Sequence, residues 1–129
     1  YLFLILNLFS CDKKEEKPVV SISQFSRQVV VMNGVVNKIL NEQDPKKMYH
    51  MADAIESSRA VDCIPVGEEC NSYYKLINKV VNYTKEGSIS NDQRMELFKL
   101  QNQFNSDVKV SENKLKEMWK TQLNTEKSP

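Results

Sequence analysis

The sequence predicts an all-α domain, an antiparallel bundle of four or five amphipathic helices. Three observations lead there. Glycine and proline are scarce, 3 and 4 residues in 129, which disfavours turn-rich β architectures. Apolar residues recur every three or four positions along successive stretches, the period of one helix face. The stretches are separated by short connections, and helices joined that way bury their stripes in a common core. The length is that of one domain, too short for a barrel enzyme or a doubly wound nucleotide-binding fold. Hydrophobic residues make up 40% and charged residues 27%, and 18 basic against 17 acidic side chains leave a net charge of +1. That balance argues against nucleic acid as a partner, because such affinity rests on excess Lys and Arg.

The chain opens on YLFLILNLFS, residues 1–10, an apolar run that ends at Cys11 and changes abruptly to DKKEEK. Ten residues are too few to span a bilayer as a helix, and the switch to charge marks the end of a secretory signal peptide. Leu8-Phe9-Ser10-Cys11 resembles the lipobox of bacterial lipoproteins: apolar at minus three, small at minus one, then cysteine. The resemblance implies that Cys11 becomes the lipidated N-terminus, carrying acyl chains of the palmitate kind that together hold a protein on a membrane. A buried apolar segment with an unmodified cysteine is the alternative. Asp12 resembles the inner-membrane retention signal of enterobacterial lipoproteins, but Lys13 weakens it, so inner and outer membrane stay open. Residues 11–20 read as a solvated tether.

With Cys11 assigned to lipid, Cys63 and Cys70 remain, in CIPVGEEC. An exported chain meets an oxidising compartment, where this pair forms a disulfide, and Pro65 and Gly67 let the segment turn back on itself. A metal site is the weaker reading, because the pair is not CxxC-spaced and the only histidine, His50, lies well upstream.

The domain proper is expected over residues 21–124. Phe25, Val29, Met32, Val36 and Ile39 lie on one face of a first helix, for which Ser23 is a candidate N-cap. The β-branched run Val29-Val30-Val31 and the mid-helix Gly34 disfavour helix, leaving a strand as competitor. Asp44-Pro45 supplies a cap and a first-turn proline for a second helix. Met48, Met51, Ala52, Ile55 and Val61 would be its buried face, and it would stop near Cys63. A third helix starts at Asn71 or Ser72 and runs through Tyr73, Leu76, Ile77 and Val80 toward Gly87, a C-terminal stop. The disulfide then closes the loop between the second and third helices. Ser90-Asn91-Asp92-Gln93 matches a capping box. From it Leu97, Leu100, Phe104, Val108, Leu115 and Trp119 recur at helical spacing. Residues 105–110 are poor helix sequence and Ser111-Glu112 could cap a new start, so one long bent helix or two are expected. Residues 125–129 read as a disordered tail.

Candidates for catalysis are few. His50 has no nucleophile in a recognisable arrangement, and the glycines at 34, 67 and 87 are too far apart to cradle a phosphate. Carboxylates are mixed with lysines along helix faces, as Glu112 with Lys116, the pattern of a solvated face. Met48, His50 and Met51 could offer soft ligands to Cu(I), although methionines at helical spacing are ordinarily core. The sequon Asn82-Tyr83-Thr84 matters only in a eukaryotic host.

Adjacent Tyr73 and Tyr74 cannot both face one core, so one is expected beside the acidic loop. Tyrosine is common at interface hot spots. Ile64, Val66, Glu68, Glu69, Tyr73 and Tyr74 therefore form the candidate partner-binding surface, the bland reading being a simple turn. The expectation is a non-enzymatic, cofactor-free lipoprotein of the bacterial envelope, facing the periplasm and binding a protein there as an assembly factor or inhibitor. The alternative is an immunity or exclusion lipoprotein acting against a toxin, phage or conjugative element, with a small metal-binding protein as a remote third.

Overall fold

The computed structural model describes residues 18, 20–58 and 62–127. The leader, Cys11, most of the tether and Val61 lie outside these residues. Four helices follow in chain order: α1 Ile22–Leu40, α2 Pro45–Ser58, α3 Glu69–Thr84 and α4 Asn91–Lys127. The fold is an all-α bundle, without a strand among the described residues.

The valine run competes for strand and loses, because the face opposite it is continuously apolar: Phe25, Met32, Val36, Ile39 and Leu40 of α1 are buried. Val30 and Val31 point outward. The cap of α1 is Ser21, not Ser23. The Ser21 hydroxyl accepts the Gln24 N–H at 3.0 Å, and the Gln24 side-chain oxygen accepts the Ser21 N–H at 2.9 Å. Only Ser21 has a glutamine three residues on, so it alone can satisfy two free donors reciprocally. Asp44 accepts the Lys46 N–H at 3.0 Å ahead of α2, whose first residue is Pro45. Gly87 ends the turn after α3 with φ 80°, a left-handed conformation that glycine adopts without penalty. The Ser90–Gln93 capping box closes in both directions, at 3.0 and 3.1 Å.

Three boundaries differ from expectation, the end of α2, the start of α3 and the C-terminal end of α4, whereas a single long α4 is one of the two expected alternatives. Helix α2 ends at Ser58, short of Cys63. Helix α3 opens at Glu69, two to three residues early, because the Glu69 side chain folds back onto the loop that leads into it. Helix α4 is a single helix of 37 residues, about 55 Å long at the usual rise. Ser111 does not cap a new start; it is fully buried mid-helix and donates its hydroxyl across the bundle to Glu69 at 2.7 Å. The helix continues to Lys127, through residues expected to form a disordered tail, because its polar C-terminal residues are adequate helix formers.

Cross-helix pairs fix the directions. Glu69 meets Ser111, Ser72 meets Asp107 and Tyr73 meets Phe104, so α3 and α4 are antiparallel. Asn37 meets Gln101 and the Glu42 carbonyl meets Arg94, so α1 and α4 are antiparallel as well. The main core joins Met32, Val36 and Ile39 of α1, Met48 and Ala52 of α2, Tyr73, Leu76, Ile77 and Val80 of α3, and Leu97 and Phe104 of α4. A second cluster of Val20, Phe25 and Leu115, with Val29, Val66 and Trp119 packed on it, sits where the N-terminus of α1 crosses α4. There the Trp119 indole N–H donates to the Val20 carbonyl at 2.9 Å.

Candidate functional site

Cys63 and Cys70 are joined by a disulfide with Cα atoms 5.7 Å apart. The bridge is one of three clamps on the loop from Cys63 to Glu69. The second is Gln28 of α1, whose carboxamide is spent on the loop. Its oxygen accepts the Ile64 N–H at 3.0 Å, and its nitrogen donates to the Ile64 carbonyl at 3.1 Å and the Cys63 Sγ at 3.2 Å. The third is the buried Glu69 carboxylate, which accepts the N–H groups of Val66 at 2.8 Å and Gly67 at 2.7 Å and the Ser111 hydroxyl. A buried carboxylate is tolerated when donors surround it, and three do so here. Gly67 is required by close approach: a Cβ there would lie 2.6 Å from the Ser111 Oγ.

These clamps sort the six candidate contact residues. Ile64 is exposed at 45%, Glu68 is exposed and Tyr74 is partly buried. Val66 is half-buried and packs into the second cluster. Glu69 and Tyr73 are corrected: both are 0% exposed and cannot touch a partner. Glu69 faces inward because its carboxylate holds the loop, and Tyr73 because the first turn of α3 directs it at Phe104, with ring centroids 5.9 Å apart. Tyr74 covers it edge-on at 5.1 Å. The Tyr73 hydroxyl has no hydrogen-bond partner, and burial, with the neighbouring Tyr74 adding to it, pushes the phenol up to about 12.

Beside the loop, α3 and α4 leave a groove of about 300 Å³ lined by Glu68, Asn71, Ser72 and Lys75 on one side and Leu100, Gln103 and Asp107 on the other. Asp107 accepts the Ser72 hydroxyl and, at 3.0 Å, the Gln103 amide, while Asn71 donates to Glu68 at 2.7 Å. The groove thus presents polar groups already oriented by one another, with the Lys75 ammonium at its edge. Nothing in the sequence marked Gln28 or Asp107, and Ser111 read only as a helix cap, because their partners lie 35 to 42 residues away.

The Met48, His50 and Met51 set is not brought together: Met48 is in the core, Met51 packs against it and His50 is exposed on a different face. His50 lines a shallow groove with Lys46, Lys85 and Glu86. The expected Glu112–Lys116 pair forms at 3.5 Å on the surface. No helix among the described residues is long and apolar enough to cross a membrane.

Fold and site together define a small helical bundle that displays one covalently clamped loop at the edge of a polar groove. No protein-family model matches the chain, and neither a curated protein nor a solved structure matches it significantly.

Proposed function

We propose that this chain is a non-enzymatic lipoprotein of the bacterial envelope, anchored through Cys11 and facing the periplasm, where it binds a protein partner with the Cys63–Cys70 loop. The observation that carries the reading is Ile64: a large apolar side chain, 45% exposed, on a backbone whose N–H and C=O are both held by Gln28. Isolated exposed apolar residues are ordinary; one fixed by a disulfide and two side-chain hydrogen bonds is preorganised, which lowers the entropy lost on binding. Glu68, exposed on the same loop, and Tyr74, half-buried in the first turns of α3, are of the polar and aromatic kinds common at interfaces.

The test is site-specific photo-cross-linking in the native host. A photoreactive residue at position 64 should give one discrete adduct that a probe at exposed Lys99 does not, and Ile64→Asp should abolish capture without changing the melting temperature. Equal cross-linking from both positions would refute the loop as the contact. A toxin as the captured protein would favour the protective role, an envelope machine component the assembly role.

A further inference from the structure

We propose that the opened Cys63–Cys70 pair, together with Met32, is a three-sulfur site for copper(I). The Met32 Sδ lies 3.6 Å from the Cys63 Sγ, which is itself bonded to the Cys70 Sγ, so the three sulfurs are neighbours. Met32 is 0% exposed and Cys70 6%, while Cys63 is half-buried, so the site meets solvent on the Cys63 side. Two thiolates and a thioether form a donor set for a soft monovalent cation. Glu69 also places a carboxylate oxygen within 4.8 Å of both cysteine sulfurs, but its oxygens already accept three hydrogen bonds. That engagement favours the all-sulfur set over a harder cation such as zinc.

The surroundings suit thiolates. The Gln28 amide N–H points at the Cys63 Sγ from 3.2 Å. Cys70 is the second residue of α3, at the positive end of the helix dipole, which favours a negatively charged ligand atom. The carboxylate of Glu69, 3.8 Å from the Cys70 Sγ, opposes this until a cation is bound.

Opening the bridge requires a dithiol reductant of the protein or small-molecule class. Its thiolate attacks the half-buried Cys63 sulfur, the S–S bond breaks, and Cys70 leaves as a thiolate at the helix terminus. The reductant's second thiol resolves the mixed disulfide and frees Cys63. Two electrons and two protons pass to the pair, and the reductant ends as its own disulfide. Binding of Cu(I) then forms two Cu–thiolate bonds and expels the two thiol protons. The bridge thus alternates between a loop staple and a metal site. This inference is independent of the partner reading, because it concerns the inner face of the loop and not Ile64.

The test uses the full chain produced without lipidation, its Cys11 thiol alkylated while the bridge is closed, so that only the pair is opened by dithiothreitol before desalting under argon. Cu(I) is then offered from its complex with the chromophoric chelator bicinchoninate. The reduced chain should withdraw one Cu(I) per molecule and show a thiolate-to-copper absorption in the near ultraviolet, while the oxidised chain withdraws none. Met32→Leu, which keeps the core volume and both cysteines, should weaken binding at least about tenfold, the lower end of what losing even a supporting group around a metal costs. Equal withdrawal by reduced and oxidised chains would overturn the site, and unchanged affinity in Met32→Leu would overturn its three-sulfur composition.

Discussion

Gly67 and Ser111 offer a double-mutant cycle whose outcome follows from one distance. In Gly67→Ala the new methyl would lie 2.6 Å from the Ser111 Oγ, closer than real Cβ atoms come. Either the hydroxyl rotates away and abandons Glu69, or the loop shifts and its N–H groups leave the carboxylate. Overpacking of this kind costs about 1–3 kcal/mol. Ser111→Ala alone removes one buried hydrogen bond to a charged acceptor, roughly 1.5–3 kcal/mol. With the hydroxyl gone, the nearest atoms to the added methyl are the Glu69 Oε1 and the Ser111 Cβ, both at 3.7 Å, which is ordinary contact. Position 67 does not have the positive φ that only Gly87 shows among the described glycines, so alanine is not strained there. In the Ser111→Ala background, Gly67→Ala should therefore cost nothing, or stabilise by about 0.4–1 kcal/mol through the stiffer unfolded chain. Urea unfolding followed by helical circular dichroism measures all four proteins, with a constant m-value as the check on two-state behaviour. Strict additivity, with Gly67→Ala equally costly in both backgrounds, would refute the clamp.

Tyr73→Phe should be neutral or mildly stabilising near pH 7, because it removes a buried hydroxyl without a partner and leaves no donor orphaned; destabilisation by more than about 1 kcal/mol would contradict this. The unfolded phenol ionises near pH 10 while the folded one holds its proton to about 12. The wild type should therefore keep its stability up to about pH 10 and lose stability as the pH rises toward 12, because only the unfolded phenol gives up its proton in that range, whereas Tyr73→Phe should not, as parallel urea titrations across that range will show. Opening the Cys63–Cys70 ring should lower stability by roughly 2.5 kcal/mol on the loop-entropy model, read as the shift in urea midpoint on reduction. Ser21→Ala should cost about 1 kcal/mol and Ser23→Ala nothing measurable; equal effects would mean that the cap of α1 is misassigned.

What the sequence made legible was local. The Phe25 to Ile39 spacing, Asp44-Pro45, the Ser90–Gln93 box and Gly87 each express a rule that acts over a few residues, and each appears in the structure as read. The Cys63–Cys70 pairing was legible because, with Cys11 assigned to lipid, two cysteines seven residues apart have only each other. The errors share a cause. Ser111 has the local signature of a helix cap, but its hydroxyl serves Glu69 on another helix, and the dense apolar face of α4 carries the helix past it. Glu69 looks like surface acid, and it is buried because two loop amides and a serine 42 residues away converge on it. Tyr73 is in helical phase with Leu76, Ile77 and Val80, and that phase, not its place beside the acidic loop, decides that it is the buried one of the pair. The α3–α4 groove depends on register between antiparallel helices, which no short-range pattern encodes.

The chain's location and the fate of its three sulfurs stand or fall together. Intact mass analysis of the protein recovered from the membrane fraction of its native host, before and after reduction, addresses both at once. An N-terminus at acylated Cys11, no free thiol before reduction and two afterwards is the predicted result. Retention of residues 1–10 with three thiols free from the outset would contradict it.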